Sequence, residues 1–137
     1  MNKAFASAGD TAEKTVSFTE IGPGLWAFTA EGDPNSGVII GDDSVMIVEA
    51  QATPRLARKV IECVRSVTDK PISHLVLTHY HAVRVLGASA YGAGQILMSD
   101  AARAMVVERG QEDYVDVWAD LPKMFDGTPE GRWGKDA

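Results

Sequence analysis

The sequence is poor in the residues that cross-link small proteins or fill metal clusters. Its 137 residues include one cysteine, Cys63, and three histidines. A single cysteine excludes any intrachain disulfide and any multi-cysteine zinc site. Basic residues are in deficit, with 13 Lys and Arg against 19 Asp and Glu and a formal net charge of −6. That balance speaks against a nucleic-acid partner, which would favour a basic surface. Glycine (13) and proline (6) are too few for a collagen-like or low-complexity chain. No apolar run approaches the roughly 20 residues of a membrane span. Residues 1–14 lack the apolar stretch of a secretory signal, so the cytoplasm is the expected compartment.

What is present is an ordinary globular composition, 45% apolar and 23% charged, at a length that suits one domain. Residues 1–14 read as a flexible arm, residues 15–122 as the folded domain and residues 123–137 as a loop or loose tail. Within the domain, strand-like segments come first: Val16–Phe18, Leu25–Thr29, Gly37–Ile40 and Val45–Val48. Gly32-Asp33-Pro34-Asn35 and Gly41-Asp42-Asp43-Ser44 have the composition of turns between them. The first part therefore reads as an antiparallel meander.

The period then changes. Leu56, Val60, Cys63, Val64 and Val67 lie on one face of a helix, with Thr53 as N-cap and Pro54 at the first helical position. Ile72–Leu77 reads as a buried strand and Ile96–Met98 as another. Ser99 is placed to cap a helix over residues 100–109, with Gly110 as its stop. Tyr114, Val117, Trp118 and Leu121 form a further helical stripe closed by Pro122. The fold class is α/β (α+β): a mixed sheet flanked by helices.

The sharpest chemical signal is His79 and His81, just past the apolar strand. In an extended segment, residues i and i+2 point to the same side, so both imidazoles can reach one metal ion. Read alone, the short pair favours a capping histidine beside a solvated one, because a metal needs more ligands. Cys63, Trp26, Phe28 and Trp118 read as packing residues, and Asp42 and Asp43 as turn residues that satisfy local backbone donors. Gly87, Gly92 and Gly94 lack the strand–loop–helix order of a dinucleotide fingerprint.

The run Thr78-His79-Tyr80-His81-Ala82-Val83-Arg84-Val85-Leu86-Gly87 resembles the HxHxDH signature of the metallo-β-lactamase fold superfamily. The upstream layout is similar as well: Gly-Pro-Gly-Leu-Trp, the Asn35 turn, the Gly41-Asp42-Asp43 hairpin, a strand ending at Glu49, then a helix. The resemblance spans roughly residues 15–120 and implies one half, the N-terminal one, of an αββα sandwich. It further implies a zinc hydrolase acting on a small-molecule ester, amide, thioester or phosphodiester, with His79 and His81 as metal ligands. Glu49, Thr78 and Tyr80 then fall behind the ligands or in the pocket.

The signature is altered at two places. Val83 stands at the family's Asp and Arg84 at its second-site His, and neither side chain ligates a metal. At most one zinc ion per chain is therefore expected. Arg84 either pairs with an acid such as Glu49 or stands in for the second metal's charge and binds a substrate anion. No histidine follows His81. His74 lies five residues before His79, roughly 16 Å along an extended strand. A half-sandwich leaves one apolar sheet face bare, and self-association through that face is expected, ahead of a truncated domain. The competing reading is a non-catalytic binding or assembly module whose metal site has decayed.

Overall fold

The computed structural model describes residues 15–109 apart from residue 31. The expected arm at 1–14, the stop at Gly110, the stripe from Tyr114 to Leu121 with Trp118, the closing Pro122 and the tail at 123–137 lie outside the described residues.

Six strands form one sheet in the order of the sequence: β1 (Val16–Gly22), β2 (Leu25–Ala30), β3 (Gly32–Ile40), β4 (Val45–Val48), β5 (Ile72–Val76) and β6 (Gln95–Leu97). Strands β1 to β4 pair antiparallel, while β4–β5 and β5–β6 are parallel. The sheet is thus mixed, as the sequence predicts. The change to parallel pairing coincides with helix α1 (Pro54–Arg65), since a parallel connection needs a crossover. A short helix α2 (Ala82–Val85) and a 3-10 turn (Ala88–Tyr91) make the second crossover, and helix α3 covers residues 100–109.

One expected turn is corrected. Gly32-Asp33-Pro34-Asn35 is not a turn but the start of the nine-residue β3. The β2–β3 register shifts between Phe28 and Ala30, so that β3 carries extra residues there. Asn35 Oδ1 accepts from Ala30 N at 3.0 Å, so a side chain replaces a missing ladder carbonyl. Pro34 is fully buried at this irregularity, a position where proline breaks no ladder bond.

Helix α1 begins as its sequence predicts. Thr53 Oγ1 accepts from Leu56 N at 3.2 Å, and Pro54 occupies the first turn. Its buried face is Ala57, Val60 and Val64, set against Val38, Val45, Ile47 and Leu75 of the sheet. Leu56 and Cys63 are only partly buried, and Val67 lies beyond the helix end with 39% exposure. Phe28 belongs to the core, and Trp26 packs on its margin, stacked on Phe18 with centroids 4.8 Å apart. Ser99 caps α3, accepting from Ala102 N at 3.1 Å.

The opposite face of the sheet carries no helix among the described residues. The register places Leu25, Ile39, Met46, His74 and Gln95 in one cross-strand row, and Ala27, Gly37, Val48, Val76 and Leu97 in the next. Leu25, Ile39 and Leu97 are each 40–42% exposed. No helix among the described residues is long and apolar enough to cross a membrane.

Candidate metal centre

The site lies at the carboxyl ends of the parallel strands β4 and β5, where α/β sheets commonly place their ligands. Glu49 follows β4 and Thr78–His81 follow β5. A short, strained loop fixes the first of these. Glu49 and Gln51 have φ of 70° and 72°, in the left-handed region that costs non-glycine residues of order 1 kcal/mol or more. Backbone bonds hold them there: Glu49 N to Val76 O at 2.9 Å, Ala50 N to Arg84 O at 2.8 Å, and Gly87 N to Gln51 O at 2.9 Å. Ser36 Oγ donates to Glu49 O at 2.9 Å and accepts from the buried Gln51 amide at 2.7 Å.

The loop and the histidine segment meet at Gly87. A Cβ there would sit 2.2 Å from Ala50 O, 2.9 Å from Thr53 O and 3.0 Å from Gln51 O. The glycine that closes the signature run is therefore required by close backbone approach rather than by its own dihedral angles.

Glu49 is the hub. Its Oε1 accepts from Thr78 N at 2.7 Å, and its Oε2 lies 3.7 Å from His79 Nδ1 and 4.0 Å from Arg84 Nε. The Glu49 and Arg84 side chains are 12% and 13% exposed, whereas His79 is 48% exposed. Thr78 Oγ1 is 2.8 Å from His79 Nδ1. His79 is thus held at Nδ1 by Thr78 with Glu49 beside it, the kind of outer contact that orients metal-ligating histidines. His81 precedes α2, and its ring lies 5.9 Å from that of His79, tilted by 38°. Tyr80, between them, is exposed.

The structure brings together Glu49, Thr78, His79, His81 and Arg84. It leaves His74 on the open sheet face, with Nδ1 2.7 Å from the Ser73 hydroxyl. Val83 is buried in α2 at 6% exposure and offers no donor atom. Two imidazoles on a tetrahedral ion stand roughly 5 Å apart between ring centres, so the His79–His81 pair fits one ion with small side-chain adjustment. As a complete set the residues do not fit. A catalytic zinc takes three protein ligands, and no group of three or more His, Cys, Asp or Glu side chains is arranged for a metal among the described residues.

Tyr91 lay outside the sequence reading, and Cys63 read there as packing alone. Tyr91 is buried beneath the loop with its hydroxyl facing Ser36 but in no well-formed hydrogen bond, and burial pushes its phenol well above the usual range. Cys63 on α1 is a half-buried thiol whose pKa is raised by desolvation and then by Glu62. The Glu49–Ser36–Gln51 cluster had no sequence signal, because its members are 13 and 15 residues apart on different elements.

Residues 29–89 match the metallo-beta-lactamase superfamily. Solved metallo-beta-lactamases share the fold. That of Erythrobacter litoralis is 22% identical with a TM-score of 0.58, over 69% of this chain and 46% of its own. That of Hirschia baltica is 21% identical with a TM-score of 0.59, over 71% and 49%. An enzyme of Pseudomonas aeruginosa, solved in a mono-zinc form, is 23% identical with a TM-score of 0.57, over 69% and 46%. The match spans less than half the length of each. A 30-residue stretch is also 57% identical to homogentisate 1,2-dioxygenase of Sinorhizobium fredii, over 22% of this chain and 7% of that protein. So short a segment carries no functional argument.

Proposed function

Starting from a metallo-beta-lactamase superfamily domain, we propose that this chain is a metallohydrolase-type domain that takes at most one zinc ion. His79 and His81 are its ligands, and the remaining ligands come from outside residues 15–109. One observation supports this reading above others: two solvent-facing imidazoles at the end of β5, 5.9 Å apart, one of them backed at Nδ1 by Thr78 and Glu49. Glu49 and Thr78 orient His79, and Tyr80 lines the approach. Arg84 and the buried Val83 stand where a second ion would need ligands, which favours a mononuclear site. The chemistry that such an ion supplies is activation of water for hydrolysis of an ester, amide, thioester or phosphodiester.

The test is zinc-dependent hydrolysis across those four substrate classes, in the intact chain and in a His79→Ala/His81→Ala variant. Turnover that needs zinc and disappears in the variant supports the proposal. Turnover indifferent to the variant contradicts it.

A second reading is favoured by the lack of a third ligand among the described residues together with the exposed Leu25, Ile39 and Leu97. It is a non-catalytic assembly module that pairs through its open sheet face. A metal-free, inactive dimer in solution is its signature.

A further inference from the structure

We infer that Ser36 is a positioning residue for the histidine segment: acting through the backbone of Glu49, it aims the Glu49 carboxylate at Thr78 and His79. The inference rests on the reading of His79 as a functional side chain of this site, and not on which ligand that side chain takes.

Ser36 lies on β3, 42 positions before Thr78 (78 − 36), and is buried at 4% exposure. Its hydroxyl is used on both sides. It donates to Glu49 O at 2.9 Å and accepts from the Gln51 side-chain amide at 2.7 Å. Glu49 and Gln51 are the non-glycine residues with positive φ among the described residues. Left-handed backbone is disfavoured wherever a Cβ is present, so it persists only where the surroundings hold it. Backbone bonds hold the amides of Glu49 and Ala50 and the carbonyl of Gln51. The Glu49 carbonyl has Ser36 as its donor.

That carbonyl sets where the Glu49 side chain goes, because both turn about one α-carbon. Freed of its donor, the peptide between residues 49 and 50 can rotate, and Glu49 can relax to negative φ. Its Cβ then leaves in another direction. The carboxylate no longer reaches Thr78 N, which lies 2.7 Å from Oε1, or His79 Nδ1, which lies 3.7 Å from Oε2. Oε2 is buried without a hydrogen bond. The backbone, and not a full set of side-chain bonds, therefore fixes the carboxylate in place.

The experiment is amide hydrogen exchange by NMR on the full chain, comparing the parent with Ser36→Ala, Glu49→Ala and the double variant. The Thr78 amide is the reporter, since Glu49 Oε1 is its acceptor. Ser36→Ala is expected to speed Thr78 exchange about tenfold or more by local opening. The amides of the buried Val60, Val64 and Leu75 stay as slow as in the parent. With Glu49→Ala already present, Ser36→Ala adds nothing at Thr78, as expected of residues that act in series. At one fixed pH the imidazole nitrogen signals of His79 move in Ser36→Ala, while those of His74, on the open sheet face, do not. If Ser36→Ala fails to fold, Gln51→Met removes the donor that fixes the Ser36 hydroxyl and is read in the same way. An unchanged Thr78 rate in a folded variant would overturn the inference. So would equal acceleration of the core amides, which marks a general loss of stability, or an effect in the Glu49→Ala background as large as in the parent. None of these readouts uses a metal, so failure of zinc binding or turnover and failure of this inference are told apart.

Discussion

At Gly87 the fold tolerates no side chain. The nearest atom to an added Cβ is Ala50 O, at 2.2 Å, and it belongs to a loop already held at positive φ. Gly87→Ala must push that loop away from α2, which is expected to cost about 2 kcal/mol or more, read as a lower urea midpoint at unchanged slope. Tyr91 illustrates the opposite case. Its hydroxyl is buried without a well-formed hydrogen bond, so Tyr91→Phe is expected to change stability at neutral pH by less than about 1 kcal/mol. The folded phenol titrates above the ordinary value of 10.0. The unfolded phenol therefore ionises first, and its contribution to stability is present below pH 10 and lost as pH rises beyond it. Denaturation curves between pH 9 and 11 check this: the alkaline loss is smaller in Tyr91→Phe. Val83, Arg84 and the histidine pair were legible in the sequence because they sit in one run. The Glu49–Arg84 approach at 4.0 Å was visible only as one of two alternatives, since the partners lie 35 positions apart (84 − 49).

Elements with local signals were the legible ones. Helix α1 has both its cap and its proline in sequence, and the cap is made. Thr53→Ala removes the acceptor of Leu56 N and is expected to cost about 1 kcal/mol, measured by thermal or urea unfolding, with Thr53→Ser recovering most of it. Strand β3 was less legible. Gly, Asp, Pro and Asn in succession favour a turn, but the Asn35 side chain bonds Ala30 N and the strand runs through. Tertiary context overrides turn chemistry there. Helix α2 and the 3-10 turn are each four residues long, too short to leave a periodic pattern.

For the whole molecule, the mixed sheet with helices on one face followed from the change of period after Val48, and the metallo-beta-lactamase resemblance gave its architecture. The sheet face left uncovered among the described residues is the consequence with the widest reach. Leu25, Ile39 and Leu97 stand on it at 40–42% exposure, around a centre of Met46, Val48 and Val76. Ile39→Lys is expected to leave unfolding within about 0.5 kcal/mol of the parent, as surface changes do. It should also lower binding of a hydrophobic dye and any concentration-dependent association.

The central claim is that the histidine pair after β5 forms a metal centre for at most one ion per chain. Equilibrium dialysis against zinc, followed by metal analysis of the parent chain and of His79→Ala/His81→Ala, addresses it most directly. The expected result is no more than one tightly bound zinc per parent chain and none in the double variant. Two zinc ions per chain, or zinc retained when both histidines are gone, would contradict it.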